Sequence, residues 1–60
     1  MSEVINKIEV PEDGFEVHIS KMNNGRYVVQ ILDTDVNQYF PTGKSFVEYE
    51  DALKYAKTLV

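Results

Sequence analysis

Apolar and polar residues alternate along much of this chain, and the alternation is broken at recognisable turn signals. Phe15, Val17 and Ile19 form one alternating apolar run, Tyr27, Val29 and Ile31 form another, and Asn23-Asn24-Gly25 lies between them. Period-two alternation bounded by Asn and Gly predicts a β-hairpin. Its register follows from parity, because a slip of one residue moves a whole apolar set to the other face of a sheet. A two-residue Asn-Gly turn would set Ile19 opposite Gln30 and His18 opposite Ile31. A three-residue loop from Asn23 to Gly25 sets Ile19 opposite Val29 and Val17 opposite Ile31, which keeps the apolar sets together. Gly25 then falls where a type I turn is followed by a left-handed residue.

Upstream, Val4, Ile8 and Val10 occupy even positions, and Ile5, Lys7 and Glu9 occupy odd ones. This predicts a half-buried strand from about Val4, with a short helix from Ser2 as the alternative. Pro11-Glu12-Asp13-Gly14 has the composition of a turn, and as a four-residue loop it pairs Val10 with Phe15 and Ile8 with Val17. Two independent turns thus give one apolar face. The opposite face is expected to hold three rows: Ile5 with Ser20 and Val28, Lys7 with His18 and Gln30, and Glu9 with Glu16 and Leu32.

Downstream, Asp33 to Asn37 reads as a polar loop, Gln38-Tyr39-Phe40 as a short edge strand, and Pro41-Thr42-Gly43-Lys44 as a turn. The pattern leaves open whether Tyr39 or Phe40 faces the core. Phe46-Val47 is a short extended piece, after which Tyr49, Ala52, Leu53, Ala56, Leu59 and Val60 recur at helical spacing from Glu48 to Val60. Glu50 and Asp51 in the first turn, with Lys54 and Lys57 later, suit the helix dipole. Ser45 and Glu48 have capping-box spacing, but Phe46-Val47 reads as a strand end, so the helix is expected to start near Glu48. These pieces predict an α+β fold: an antiparallel β-meander of three to four strands, with one C-terminal amphipathic helix packed on one face.

Composition changes this picture in two ways. Sixty residues make a single domain, 1–60, which at this size buries only about 60% of the surface of its unfolded chain. With no Cys and one His, neither disulfides nor a metal is expected to supplement the core, which leaves a partner chain. A homodimer through the second sheet face or the edge strand near Tyr39 and Phe40 is one form of that expectation. The net charge of −4 argues against a generic polyanion binder and for a basic partner. No run is long enough to span a bilayer, and no apolar segment follows a basic one, so the sequence predicts a soluble cytoplasmic protein without membrane attachment.

Nothing in the sequence forms a catalytic signature, and no cofactor is expected. Gly43-Lys44-Ser45 resembles the end of a phosphate-binding loop, but Gln38 stands where that loop needs its first glycine. Asp33, Asp35 and Asn37 match the first ligands of a calcium loop, yet Gln38 replaces its glycine and Lys44 its bidentate glutamate. His18 has no second His or Cys to join it and reads as a surface or interface residue. Glu9, Glu12, Asp13 and Glu16 read as a solvated acidic end.

The mapped second face is the more informative feature. Ile5, Val28 and Leu32 are apolar on a face that the single helix cannot also cover, and contiguous exposed apolar surface commonly marks an interaction site. The sequence therefore points to a non-enzymatic acidic protein-binding module, an accessory or inhibitor that docks on a larger, nucleic-acid-handling partner. The expected protein-binding residues are Ile5, Glu12, Asp13, Glu16, His18, Val28, Gln30 and Leu32. The alternative is a single-stranded nucleic-acid binder that stacks bases on Tyr39 or Phe40 near Lys44; the acid excess makes it the less favoured reading.

Overall fold

A computed structural model describes residues 3–60. Four strands, β1 (Glu3–Val10), β2 (Phe15–Lys21), β3 (Tyr27–Asp33) and β4 (Gln38–Phe46), form an antiparallel meander in the order β1-β2-β3-β4, and α1 (Tyr49–Lys57) follows. The α+β architecture read from the sequence is the one observed. β1 is a strand from Glu3; Ser2, where the alternative helix would begin, lies outside the described residues.

Both hairpin registers follow the parity of the apolar residues. Ile19 pairs with Val29 and Val17 with Ile31, while Val10 pairs with Phe15 and Ile8 with Val17. The β2–β3 loop is Asn23 to Gly25: the Met22 N–H donates to the Arg26 carbonyl at 2.8 Å, and the Gly25 N–H donates to the Met22 carbonyl at 3.0 Å. Gly25 has φ 82°, a region that costs a residue with a Cβ about 1–2 kcal/mol.

Two bulges depart from the expected pattern. In β1, Val4 pairs with Ser20 and Asn6 with Ile19, so Ile5 is an extra residue without a cross-strand partner. Ile5 therefore does not head the row of Ser20 and Val28; Val4 does, having left the helix side, while Asn6 keeps its place there opposite Ile19. In β4, Val28 pairs with Ser45 and Gln30 with Pro41, which leaves Thr42, Gly43 and Lys44 opposite Val29 alone. Pro41 to Lys44 is thus a bulge inside one continuous strand and not a turn. The Thr42 hydroxyl satisfies the Val29 carbonyl at 2.8 Å, and the Lys44 N–H donates back to Thr42 Oγ1 at 3.3 Å. An edge position tolerates such a segment, because Pro cannot donate to a ladder and is confined to edges and bulges.

The helix packs on the face that carries Val17, Ile19 and Val29. Ala52 and Ala56 are fully buried against them, and Phe15, Tyr27, Phe46, Tyr49, Leu53 and Leu59 pack around this centre. Small alanines let the helix approach the sheet closely, while the aromatics seal its flanks: Tyr27 and Tyr49 meet edge to face with centroids 5.8 Å apart. Glu48 is the N-cap, as the sequence reading placed it, but it makes no side-chain capping bond. Ser45 instead accepts bonds from the Arg26 guanidinium. The helix closes three residues before the expected Val60, at Lys57. There the Thr58 N–H and hydroxyl both donate to the Tyr55 carbonyl, tightening the last turn.

Candidate docking face

Alternation along each strand sends His18, Ser20, Val28, Gln30 and Leu32 to the side of the sheet opposite the helix. Among the described residues no element covers this side, since the only element outside the sheet packs on the other one. The cross-strand rows are Val4 with Ser20, Val28 and Ser45, then Lys7 with His18, Gln30 and Pro41, then Glu9 with Glu16, Leu32 and Tyr39.

An ordered polar constellation lies at the centre of this face. His18 Nε2 is 2.8 Å from Glu16 Oε1, two residues along the same strand, and Nδ1 is 3.1 Å from the Tyr39 hydroxyl. The Tyr39 ring meets the imidazole edge-on, with centroids 5.3 Å apart. Tyr39 stands opposite Leu32 on the far side of β3, so its ring reaches diagonally across that strand to β2. His18 is only 6% exposed and Ser20 1% exposed, which corrects the expectation of a surface histidine. The cause is local: Tyr39 covers the ring edge, and the neighbouring strands supply Lys7 and Gln30 on either side. No buried side-chain nitrogen or oxygen among the described residues lacks a hydrogen-bond partner.

This geometry constrains the imidazole. A carboxylate can only accept, so the neutral ring carries its proton on Nε2 and Nδ1 accepts from the Tyr39 hydroxyl. A protonated ring is also accommodated, because the tyrosine oxygen can then accept from Nδ1.

Beside the constellation, the β4 bulge opens a shallow groove of about 340 Å³. Met22, Val28 and Pro41 contribute apolar lining to it, and Lys44 lines it as well. The face thus combines half-buried apolar positions, Val28 and Leu32, with fixed hydrogen-bonding groups.

Of the residues singled out from the sequence, Glu16, His18, Val28, Gln30 and Leu32 come together here. Ile5 lies at the β1 edge and is 42% exposed, and Glu12 and Asp13 are exposed in the β1–β2 turn at the end of the sheet. Tyr39, named from the sequence only for base stacking or an edge seam, was not among the expected protein-binding residues. The signal for it was the loop length: a four-residue turn from Thr34 to Asn37, with Asn37 at φ 53°, pairs Asp33 with Gln38 and hence Leu32 with Tyr39. Tyr39 and Phe40 consequently belong to opposite faces, with Phe40 beside Ile31 on the helix side.

Among the described residues no group of three or more His, Cys, Asp or Glu side chains is arranged to hold a metal ion. Among the described residues no helix is long and apolar enough to cross a membrane. Compared with known proteins, the chain matches no family model, and neither a curated protein nor a solved structure is detectably similar to it.

Proposed function

We propose that this chain is a non-enzymatic, acidic protein-binding module, an accessory or inhibitor protein whose second sheet face docks on a larger partner with a basic surface. The observation that carries this reading is a face with no covering layer on which polar groups are nevertheless held in fixed positions. Glu16, His18 and Tyr39 are tied to one another, and a groove with apolar walls lies beside them. Groups already ordered lose little freedom on binding, which favours specific association over loose adhesion. A net charge of −4, with Glu9, Glu12, Asp13 and Glu16 near one end of that face, supports a basic partner and an association rate that falls as salt rises.

The arrangement favours protein over single-stranded nucleic acid. Stacking of successive bases needs several rings on one face and a basic track. Tyr39 and Phe40 lie on opposite faces, and Lys7 already faces Glu9 at 3.8 Å.

The test is site-directed photocrosslinking in cells of the natural source. A photoreactive phenylalanine analogue at Gln30, in the middle of the face, should trap one discrete protein, and excess unmodified chain should compete it away. The same analogue at Lys54, exposed on the helix, should not trap it. Equal trapping from both positions, or none from Gln30, would end this reading, and a nucleic-acid adduct at Gln30 would replace it.

A further inference from the structure

Away from the second face, the helix leaves one end of its own side of the sheet open. Leu59, two residues beyond the end of α1, is near Ile31 and Phe40, which share a cross-strand row with Val17. A pocket of about 310 Å³ lies there, with Phe15, Ile31, Phe40 and Leu59 as its apolar lining. This is near the lower end of ligand-site volumes, which begin at about 300 Å³, so it suits a single side chain better than an extended ligand. Phe40 is 46% exposed although Val17, in the same row, is fully buried.

The rim of this pocket carries Asp13, Asp33 and Asp35. Backbone geometry, and not ion pairing, holds them there. The Thr34 N–H donates to the Gly14 carbonyl at 3.0 Å and so ties the β3–β4 turn to the β1–β2 turn. Asp33 Oδ1 accepts the Asp35 N–H at 3.0 Å. Among the described residues the charged side-chain contacts are Lys7 with Glu9 and, only if the imidazole is protonated, His18 with Glu16, so none of the three rim carboxylates has a cationic partner there.

We propose that this pocket receives an arginine side chain from a protein partner, its stem and guanidinium plane against Phe15 and Phe40 and its N–H groups on the rim carboxylates. An apolar wall with a carboxylate rim is complementary to a side chain that is apolar along its stem and cationic at its tip. Arginine fits better than lysine because a planar guanidinium stacks on aromatic rings and pairs with two carboxylate oxygens at once. The proposal rests on the docking reading only in taking the ligand from a protein. It uses the opposite side of the sheet.

A capped Gly-Arg-Gly peptide, titrated into the intact chain at low salt and followed by NMR, tests this directly. The expected result is saturable shifts at the Ile31 and Leu59 methyls and the Phe40 ring. The citrulline peptide, which keeps the shape without the charge, should bind at least about tenfold more weakly, as the loss of a charge-assisted bond implies. D33N with D35N should weaken the arginine peptide to the level of the citrulline one; the amide introduced at position 33 keeps an oxygen to accept the N–H of position 35, and an otherwise unchanged spectrum would show that the fold is retained. Equal binding of arginine and citrulline peptides, or shifts spread over the acidic surface without the pocket methyls, would overturn the proposal. Equal binding of a lysine peptide would overturn the choice of arginine. V28K should leave this titration unchanged, so failure here and failure of the second-face crosslink can be told apart.

Discussion

Asn6 and Tyr49, 43 residues apart in sequence, are joined by a 2.8 Å hydrogen bond in which the Asn6 amide donates to the tyrosine hydroxyl. Asn6 stays in the register of Ile8 and Val10 and so faces the helix, whereas the bulge at Ile5 turns Val4 to the other face. The bond links the first strand to the first turn of α1, two elements with no other side-chain hydrogen bond between them among the described residues. Y49F should leave the half-buried amide without its acceptor and cost about 1 kcal/mol, a fall in Tm of about 4–8 °C for a domain of this size. N6A should cost a similar amount, and the double variant clearly less than the sum. Strictly additive losses in thermal melts would show that the pair contributes nothing as a pair.

The two turn glycines Gly25 and Gly14 differ in a way that stability measurements can read. Gly25 has φ 82° and open space where a Cβ would stand, so G25A should cost about 1–2 kcal/mol from backbone conformation alone. Gly14 has φ 75°, and a Cβ there would lie 3.0 Å from an Asp35 carboxylate oxygen. G14A should therefore be the more damaging of the two, because it adds a steric push on the joint between the turns. Urea midpoints at unchanged slope give the comparison. A milder G14A would mean that the Asp35 side chain swings away freely and that the joint is not rigid.

How far the fold could be read from the sequence depended on which residues carried the pattern. Val17, Ile19, Val29 and Ile31 fixed the central hairpin, since any one-residue slip would have set Ile19 opposite Gln30 and Ile31 opposite His18 and split the apolar set between the two faces. The bulges escaped for opposite reasons. Val4 and Ile5 are both apolar, so an extra residue between strand positions left no gap in the alternation. Thr42-Gly43-Lys44 was hidden by its own composition, because Pro and Gly mark turns as readily as edge bulges. The link that makes it a bulge, Thr42 to the Val29 carbonyl, spans 13 residues. The docking face was legible through parity for five of its residues, but the contact of Tyr39 with His18 crosses a strand between them and has no local signature.

The hydrogen bonds of His18 lead to a spectroscopic prediction. With Glu16 on Nε2 and Tyr39 on Nδ1, the neutral imidazole should be the Nε2–H tautomer, and long-range proton–nitrogen correlation spectra should show Nδ1 as the unprotonated nitrogen. Y39F removes the donor to Nδ1 while keeping the ring, so it should move the Nδ1 resonance and leave that of Nε2 nearly in place. A neutral ring protonated on Nδ1 would contradict the carboxylate contact, and with it the ordered constellation that supports docking.

The docking proposal also implies self-association in the absence of the partner, and the structure narrows where the seam would be. Both sheet edges are interrupted, β1 between Val4 and Asn6 and β4 between Val28 and Gln30 of its neighbour. Bulges at an edge twist it away from strand-to-strand pairing. That favours the second face over the edge near Tyr39 and Phe40. A standard interface buries about 800 Å² per partner, a large share of the 4205 Å² that this small chain exposes, so nearly the whole face would have to take part. Charges at its middle should then be decisive: V28K with L32K, at positions that are only half-buried, should give a folded monomer in sedimentation velocity where the unmodified chain is a dimer. A dimer that survives both lysines would move the seam to an edge or to the helix side. An unmodified chain that stays monomeric at high micromolar concentration would mean that α1 and the four strands stabilise the fold alone, and that the face is kept for a different protein.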